Sequence, residues 1–367
     1  MDMLNRLPQN QPAPSSDQNG APIRILVVDD SAFMRYTLAR RLSEIEGFHV
    51  IGSAHDGNEA LELTKALKPD VITLDVEMPH MDGLTTLRQI MTVRPTPVIM
   101  VSSLTTEGAR ETIQALTWGA VDFIAKPASK ANIEVIVEEL TSKIRRAARA
   151  RVYPMMSSAL PKDQNVQPQS PKKTRPRRET DKVVVIGAST GGPRALQTVV
   201  SQLNPNMPAA FLIVQHMPVG FTRSLAERLN AVSELAVKEA EPGDTLENGR
   251  ALVAPGGFHM ILDTDGRIAL NQNPTVHGVR PAIDVTLLSA AQHFGKACVA
   301  VILTGMGRDG TNGASLVHSL GGKVIAEDES TCVVWGMPRS VTEAGAADEI
   351  VPLPEVHQAI ARAVAWS

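Results

Sequence analysis

Carboxylates gather at the ends of apolar runs in the first third of this 367-residue chain. Asp29 and Asp30 close ILVV, Asp75 closes VITL, Ser102 closes VIMV, and Lys126 follows DFIA. If these runs are neighbouring parallel strands, their carboxyl ends share one edge, and three carboxylates meet there. Packed carboxylates repel, so one must hold a proton or the group must bind a cation. A hard divalent ion suits such oxygen ligands, and Mg²⁺ takes a few carboxylates plus water or phosphate oxygens. Lys126 supplies the positive charge that a phosphoryl group needs, and Ser102 a hydrogen-bond donor. Together they read as a site for phosphoryl transfer to an aspartate, although each aspartate taken alone could be a helix cap.

A second group lies beyond residue 180. The apolar run VVVI leads into Gly187-Ala188-Ser189-Thr190-Gly191, which fits the G-x-S-x-G pattern of a nucleophile at a tight strand-to-helix turn, and Pro193 suits the first turn of the helix. A hydroxyl there lies near a helix N-terminus, which favours developing negative charge. The plainer alternative is a phosphate-binding turn. Against it, the spacing is not G-x-G-x-x-G, and no acidic residue ends a strand about 20 residues on. His216 stands there instead, closing FLIVQ, and imidazole is the usual base near neutral pH. Among the 9 histidines, His259 reads as insertion structure, His277 as loop, and His293 and His318 as helix ends, so His216 is the expected base. Asp309, after Thr304-Gly305-Met306-Gly307-Arg308, is the expected orienting carboxylate. The glycines around Met306 and Gly307 make those two N–H groups candidate oxyanion donors. Capping a helix is the plainer role for Asp309. Asp284 is its rival, but it falls inside an apparent helix. The order Ser–His–Asp differs from the Ser–Asp–His of α/β-hydrolases.

The elements that must position these groups follow from the hydrophobic pattern. Strands are expected at 23–28, 49–54, 71–75, 98–102 and 122–124, with helices at 32–44, 57–67, 83–91, 109–118 and 132–149, which makes an α/β unit with a five-stranded, doubly wound parallel sheet. Beyond it, buried strands are expected at 183–186, 210–215, 298–304 and 323–326, and helices at 193–203, 222–230, 310–320 and 356–366. A Gly-rich segment, 235–270, with turn signals at Pro242-Gly243, Asn248-Gly249 and Asp265-Gly266, reads as an antiparallel hairpin insertion in this second α/β domain. The expected boundaries are a disordered tail 1–21, a first domain 22–146, a Pro/basic linker 147–181 and a second domain 182–367. The linker's cluster of Lys172, Lys173, Arg175, Arg177 and Arg178 reads as a solvated tether.

Composition narrows the field. A net charge of −3 gives no reason to expect nucleic-acid binding, and no apolar run approaches the roughly 20 residues needed to span a bilayer. Two scattered cysteines, Cys298 and Cys332, suit a reducing cytosol, and a cytoplasmic protein is expected.

The segments ILVVDDS, PDVITLDVEMPHMDG, VSS and DFIAKP resemble the response-regulator receiver family, with its flavodoxin-like fold. That resemblance implies that Asp75 is the phosphoacceptor, that Asp30 and Asp75 bind Mg²⁺ with the Glu77 carbonyl, and that Asp29 supports the ion through water. It also makes Ser102 and Phe123 the switch pair and Lys126 the receiver lysine. IGASTGGP, QHMPVGFT, APGGFHM, LTGMGRDG and CVVWGMPRS resemble the catalytic domain of chemotaxis protein-glutamate methylesterases. In that family Ser189, His216 and Asp309 fall on the triad and Met306 on the oxyanion position, with no cofactor in the esterase domain. The implied activity is phosphorylation-activated hydrolysis of glutamate γ-methyl esters on chemoreceptors, with release of methanol and often deamidation of receptor glutamines. The implied partners are those receptors and a sensor histidine kinase, with no nucleic acid and no membrane insertion. HGVRPAIDVTL and, just after Asp309, DGTNGASL depart from the family's usual runs, and neither touches the triad. Three other readings remain: a response regulator with a non-catalytic binding output domain, a nucleotide-binding domain, and an unregulated hydrolase of small esters.

Overall fold

The computed structural model describes residues 21–103, 105–126, 133–152, 180 and 182–365. The expected tail up to residue 20 and the expected linker with its basic cluster, from 153 to 179, lie outside the described residues.

The first unit runs β1 (Ile23–Val28), α1 (Ala32–Ser43), β2 (Phe48–Ala54), α2 (Gly57–Leu67), β3 (Val71–Asp75), α3 (Gly83–Val93), β4 (Val98–Ser102), α4 (Thr106–Thr117), β5 (Asp122–Ala125) and α5 (Ile133–Ala147). Its strands form one parallel sheet in the order β2-β1-β3-β4-β5. β3 and β4 are buried along their whole length, as strands covered by helices on both faces must be, which is why they read as nearly continuous apolar runs. Side-chain caps start the helices: Ser31, Asp56, Asp82 and Thr105 each accept an orphan N–H of the first turn.

The second unit runs β6 (Val183–Ala188), α6 (Gly192–Val200), β7 (Ala210–Gln215), α7 (Phe221–Val232), β8 (Ala236–Glu239), β9 (Arg250–Val253), β10 (His259–Leu262), β11 (Ile268–Asn271), α8 (Ile283–Phe294), β12 (Cys298–Ile302), α9 (Thr311–Ser319), β13 (Lys323–Glu327), α10 (Met337–Glu343), β14 (Glu349–Val351) and α11 (Val356–Ala365). A seven-stranded parallel sheet has the order β14-β13-β12-β6-β7-β9-β8. Both units are therefore the doubly wound α/β sheets expected.

The segment 235–270 is a hairpin only in its second half, where β10 and β11 pair antiparallel. Its first half extends the main sheet, because β8 pairs parallel with β9 and β9 with β7. The N–H of Gly249 donates to the Ala209 carbonyl at 3.0 Å and sets the chain down beside the start of β7. The buried Ala251, Leu252 and Val253 then run along it.

The two units touch. Phe123 of β5 lies against Phe221 of α7, ring centroids 4.4 Å apart. The Gly191 N–H donates to the Val121 carbonyl at 3.2 Å, and the Thr190 hydroxyl donates to Asp122 Oδ2 at 3.0 Å. Among the described residues no helix is long and apolar enough to cross a membrane.

Candidate active site

In the sheet order β12-β6-β7, Asp309, Ser189 and His216 follow the carboxyl ends of adjacent strands. The structure brings all three together. Ser189 Oγ lies 3.2 Å from His216 Nδ1, and His216 Nε2 lies 2.8 Å from Asp309 Oδ2. A carboxylate accepts only, so Nε2 carries the proton and Nδ1 is left as the acceptor facing the serine.

Ser189 owes its exposure to a tight turn. Its N–H donates to the Thr304 carbonyl at 3.0 Å, and its own carbonyl accepts from Gly192 N–H at 2.7 Å and from Gln215 Nε2 at 3.0 Å. Gly191 holds φ at 78°, a left-handed conformation that glycine adopts without penalty. At Gly305 a Cβ would stand 2.8 Å from Ser189 Cβ, so only glycine lets this loop approach the serine. Behind it, no described acceptor engages the N–H of Met306 or Gly307. Met306 and Gly307 line the same cavity as Ser189.

Asp309 is buried but does not cap the helix that follows it; α9 has Gly310 at its N-cap and no side-chain cap bond. Its carboxylate caps α8 instead. Oδ2 accepts from Ile283 N–H at 2.7 Å and Oδ1 from Asp284 N–H at 2.9 Å. Burial alone would raise the Asp309 pKa, but the His216 contact and these two amides outweigh it and hold the carboxyl below its usual range. Asp284, the rival, accepts from Gly313 N–H at 2.8 Å and from His277 Nε2 at 3.0 Å, and it does not reach His216. His259 is structural: its ring accepts from Ala282 N–H and donates to the Pro274 carbonyl.

Two supports escape sequence reading. Thr304 donates its hydroxyl to the Thr190 carbonyl at 3.0 Å and accepts from Val334 N–H at 3.0 Å. Its own N–H donates at 2.8 Å to Glu327, a carboxylate with 0% exposure. Glu327 ends β13, so the strand-end rule that picked out Asp309 could have found it. Burial pushes its pKa from 4.5 up to about 7. A carboxyl raised on folding stabilises fully below its unfolded pKa and less as pH rises through the folded one. Stability should therefore fall between about pH 4.5 and 7 by about 3 kcal/mol from this group. Glu327→Gln keeps an acceptor for Thr304 and removes the titration. Melting curves across that range should be flatter for this variant than for the wild-type chain.

The first unit gathers its carboxylates as expected. Oxygens of Asp29, Asp30 and Asp75 lie within 4.8 Å of one another. Lys126 Nζ donates to Asp75 Oδ2 at 2.6 Å and stands 3.9 Å from Asp29 Oδ2. Burial pushes the Asp75 carboxyl up to about 7, with the neighbouring Asp29 adding to it and Lys126 opposing. Asp29 Oδ2 is buried without a hydrogen-bond partner. An orphaned buried carboxylate oxygen beside two more carboxylates fits a hard cation. The Glu77 N–H donates to Asp75 Oδ1 at 3.2 Å. Ser102 donates to the Gly108 carbonyl at 3.1 Å and does not bond Asp75. Phe123 is turned inward and buried. If Mg²⁺ binds here, millimolar MgCl₂ should raise the melting temperature by several degrees, and Asp29→Asn should lose most of that rise.

Between the Ser189 edge of the second unit and the first unit lies an open cavity of about 580 Å³, lined by Ser189, His216, Met306 and Asp309 on one side and by Asp122 and Phe123 on the other.

The family model for the CheB methylesterase matches residues 184–360, and the model for the response regulator receiver domain matches residues 25–138. A protein-glutamate methylesterase/protein-glutamine glutaminase of Symbiobacterium thermophilum is 50% identical over 360 residues, 95% of this chain and 99% of the relative. The chain belongs to this methylesterase/glutaminase family. A member from Pyrococcus abyssi is 47% identical over 350 residues, 94% of each chain. The resemblances read from the sequence therefore hold for both domains. With the family settled, a purely nucleotide-binding second domain drops out.

Proposed function

We propose that this chain is a phosphorylation-activated esterase that hydrolyses glutamate γ-methyl esters of chemoreceptors in the cytoplasm, and deamidates receptor glutamines at the same site. The observation that carries the reading is the hydrogen-bonded series Ser189–His216–Asp309 beside two unengaged backbone amides.

In this reading Ser189 Oγ attacks the ester carbonyl while His216 Nδ1 takes its proton. The carbonyl oxygen becomes an anion held by the Met306 and Gly307 N–H groups. As the C–O bond to the methoxy group breaks, His216 returns the proton, and methanol leaves. Water then adds to the acyl group with His216 again as base, freeing the glutamate and restoring the serine. Asp309 orients the imidazole and stabilises its charged form. With a glutamine the same sequence releases ammonia.

The receiver reading rests on Asp75, which accepts a phosphoryl group from a histidine kinase, and on Lys126, which pairs with the incoming charge. Mg²⁺ held by Asp29, Asp30 and Asp75, with the Glu77 carbonyl, would supply charge neutralisation at the phosphoryl oxygens. β5 is the mechanical link. Its Asp122 and Phe123 touch Thr190 and Phe221, and Lys126 just past its end touches Asp75. A change at Asp75 therefore pulls on the strand that closes the cleft, with Ser102 and Phe123 as the switch pair, and shifts a two-state equilibrium towards the open form.

Methanol release from a methyl-esterified chemoreceptor tests the reading. Release should rise with acetyl phosphate and Mg²⁺, and no release from folded, phosphorylated protein would overturn it in favour of a non-catalytic output domain. Asp122→Ala should loosen the closed form and raise release without phosphodonor by about tenfold, the size of an ordinary coupling energy; unchanged release would separate Asp122 from control of the cleft.

A further inference from the structure

Two polar side chains in the cleft have no task in the chemistry above. Arg308 lies between the oxyanion amides of Met306 and Gly307 and the carboxylate of Asp309, is exposed, and lines the cavity. Among the described residues no carboxylate pairs with its guanidinium. His277 lines the same cavity at φ 54°, a left-handed conformation uncommon for a residue with a side chain. Such strain persists where the surroundings hold it, and here they do. His277 Nε2 sits 3.0 Å from Asp284 Oδ2, and Asp284 is buried and fixed by the Gly313 N–H. The imidazole is thus braced from behind, while Nδ1 has no partner among the described residues.

His277 and Arg308 share a wall, since ligand atoms of His277, Asp284 and Asp309 lie within 4.8 Å of one another and Arg308 adjoins Asp309. The two buried carboxylates behind that wall are already engaged by His216, His277 and backbone amides. What the wall offers a ligand is a free guanidinium from Arg308 and, since Asp284 only accepts and so fixes the proton on His277 Nε2, an acceptor at Nδ1 suited to a peptide N–H. A guanidinium matches a carboxylate with a two-pronged hydrogen bond.

We infer that Arg308 forms a subsite for a carboxylate of the substrate polypeptide next to the scissile ester, with His277 Nδ1 placed to accept from a backbone N–H of the same segment, making esters flanked by acidic residues the preferred substrates. The inference rests on the esterase reading and adds a consequence to it. Each hydrolysis leaves a carboxylate on the polypeptide, so a partly hydrolysed segment would bind better than a fully esterified one.

The test uses the full chain, activated with acetyl phosphate and Mg²⁺, and two versions of a methyl-esterified receptor helix whose ester is flanked by glutamate or by alanine. Wild-type protein should prefer the acidic version in kcat/KM by about fivefold at low salt, and the preference should shrink as salt is added. Arg308→Ala should abolish the preference, with the loss appearing in KM, and Arg308→Lys should recover part of it. Equal rates on both helices by wild-type protein, or an undiminished preference in Arg308→Ala, would overturn the subsite while leaving the esterase in place. Absence of any Ser189-dependent hydrolysis would instead sink the esterase reading itself.

Discussion

Ser189→Ala should lower methanol release by about 10⁵- to 10⁶-fold, and His216→Ala should cost about as much. The two losses should not add. Nucleophile and base act as one unit, joined here by the 3.2 Å contact from Oγ to Nδ1, so the double variant should match either single one. What remains above the uncatalysed rate should come from the Met306 and Gly307 amides, which neither substitution disturbs. Ser189→Ala removes a single oxygen, so its melting temperature should stay close to wild type, whereas His216→Ala takes a partner from the buried Asp309 carboxylate and should lower it. A rate measurement on protein of verified stability then separates loss of chemistry from loss of fold. Release by Ser189→Ala within tenfold of wild type would remove the serine from the mechanism.

Asp309→Asn should lower kcat by about 10⁴-fold and, unlike Ser189→Ala, should also cost stability. The carboxylate accepts from His216 Nε2 and Ile283 N–H at Oδ2 and from Asp284 N–H at Oδ1. An asparagine offers one oxygen and one NH₂ in the same place. Whichever way it turns, a buried N–H loses its acceptor and faces another donor, at a cost of about 1–3 kcal/mol. If the new amide nitrogen faces the imidazole, the ring turns its lone pair to that NH₂ and its N–H to Ser189, which leaves no base at the serine. Because its surroundings hold the Asp309 carboxyl below its usual pKa range, the wild-type residue is ionised throughout the neutral range, and raising the pH should not rescue the variant. A kcat within tenfold of wild type at neutral pH would show that His216 needs no such partner.

Much of this site was legible because one rule governs it. In a parallel sheet, side chains that follow adjacent strands meet at one edge, so reading where apolar runs stop located Asp29, Asp30, Asp75 and Ser102 in one unit and Ser189, His216 and Asp309 in the other. The runs themselves were plain, since strands such as β3, β4 and β12 are buried along their whole length and are mostly apolar, with Thr73 the one polar residue inside them. What stayed hidden depends on contacts distant in sequence. Asp309 resembled the cap of its own helix, and only the fold reveals that it caps α8, whose first residues lie 25 or more positions earlier. The turn dipeptides around Pro242 and Asn248 looked like hairpin corners. The Gly249 to Ala209 hydrogen bond, which turns β9 parallel to β7, cannot be read from local sequence. The bond from Thr190 to Asp122 joins residues 68 positions apart, and nothing in either segment announces the other.

The central claim is a serine nucleophile whose access is governed by Asp75. A fluorophosphonate, which phosphonylates activated serines with loss of fluoride, tests it most directly, with the labelled residue located by mass spectrometry and the rate followed with and without acetyl phosphate and Mg²⁺. Labelling is expected at Ser189, accelerated by the phosphodonor in wild-type protein and not in Asp75→Asn. Labelling elsewhere, or a Ser189 rate indifferent to the phosphodonor, would contradict it.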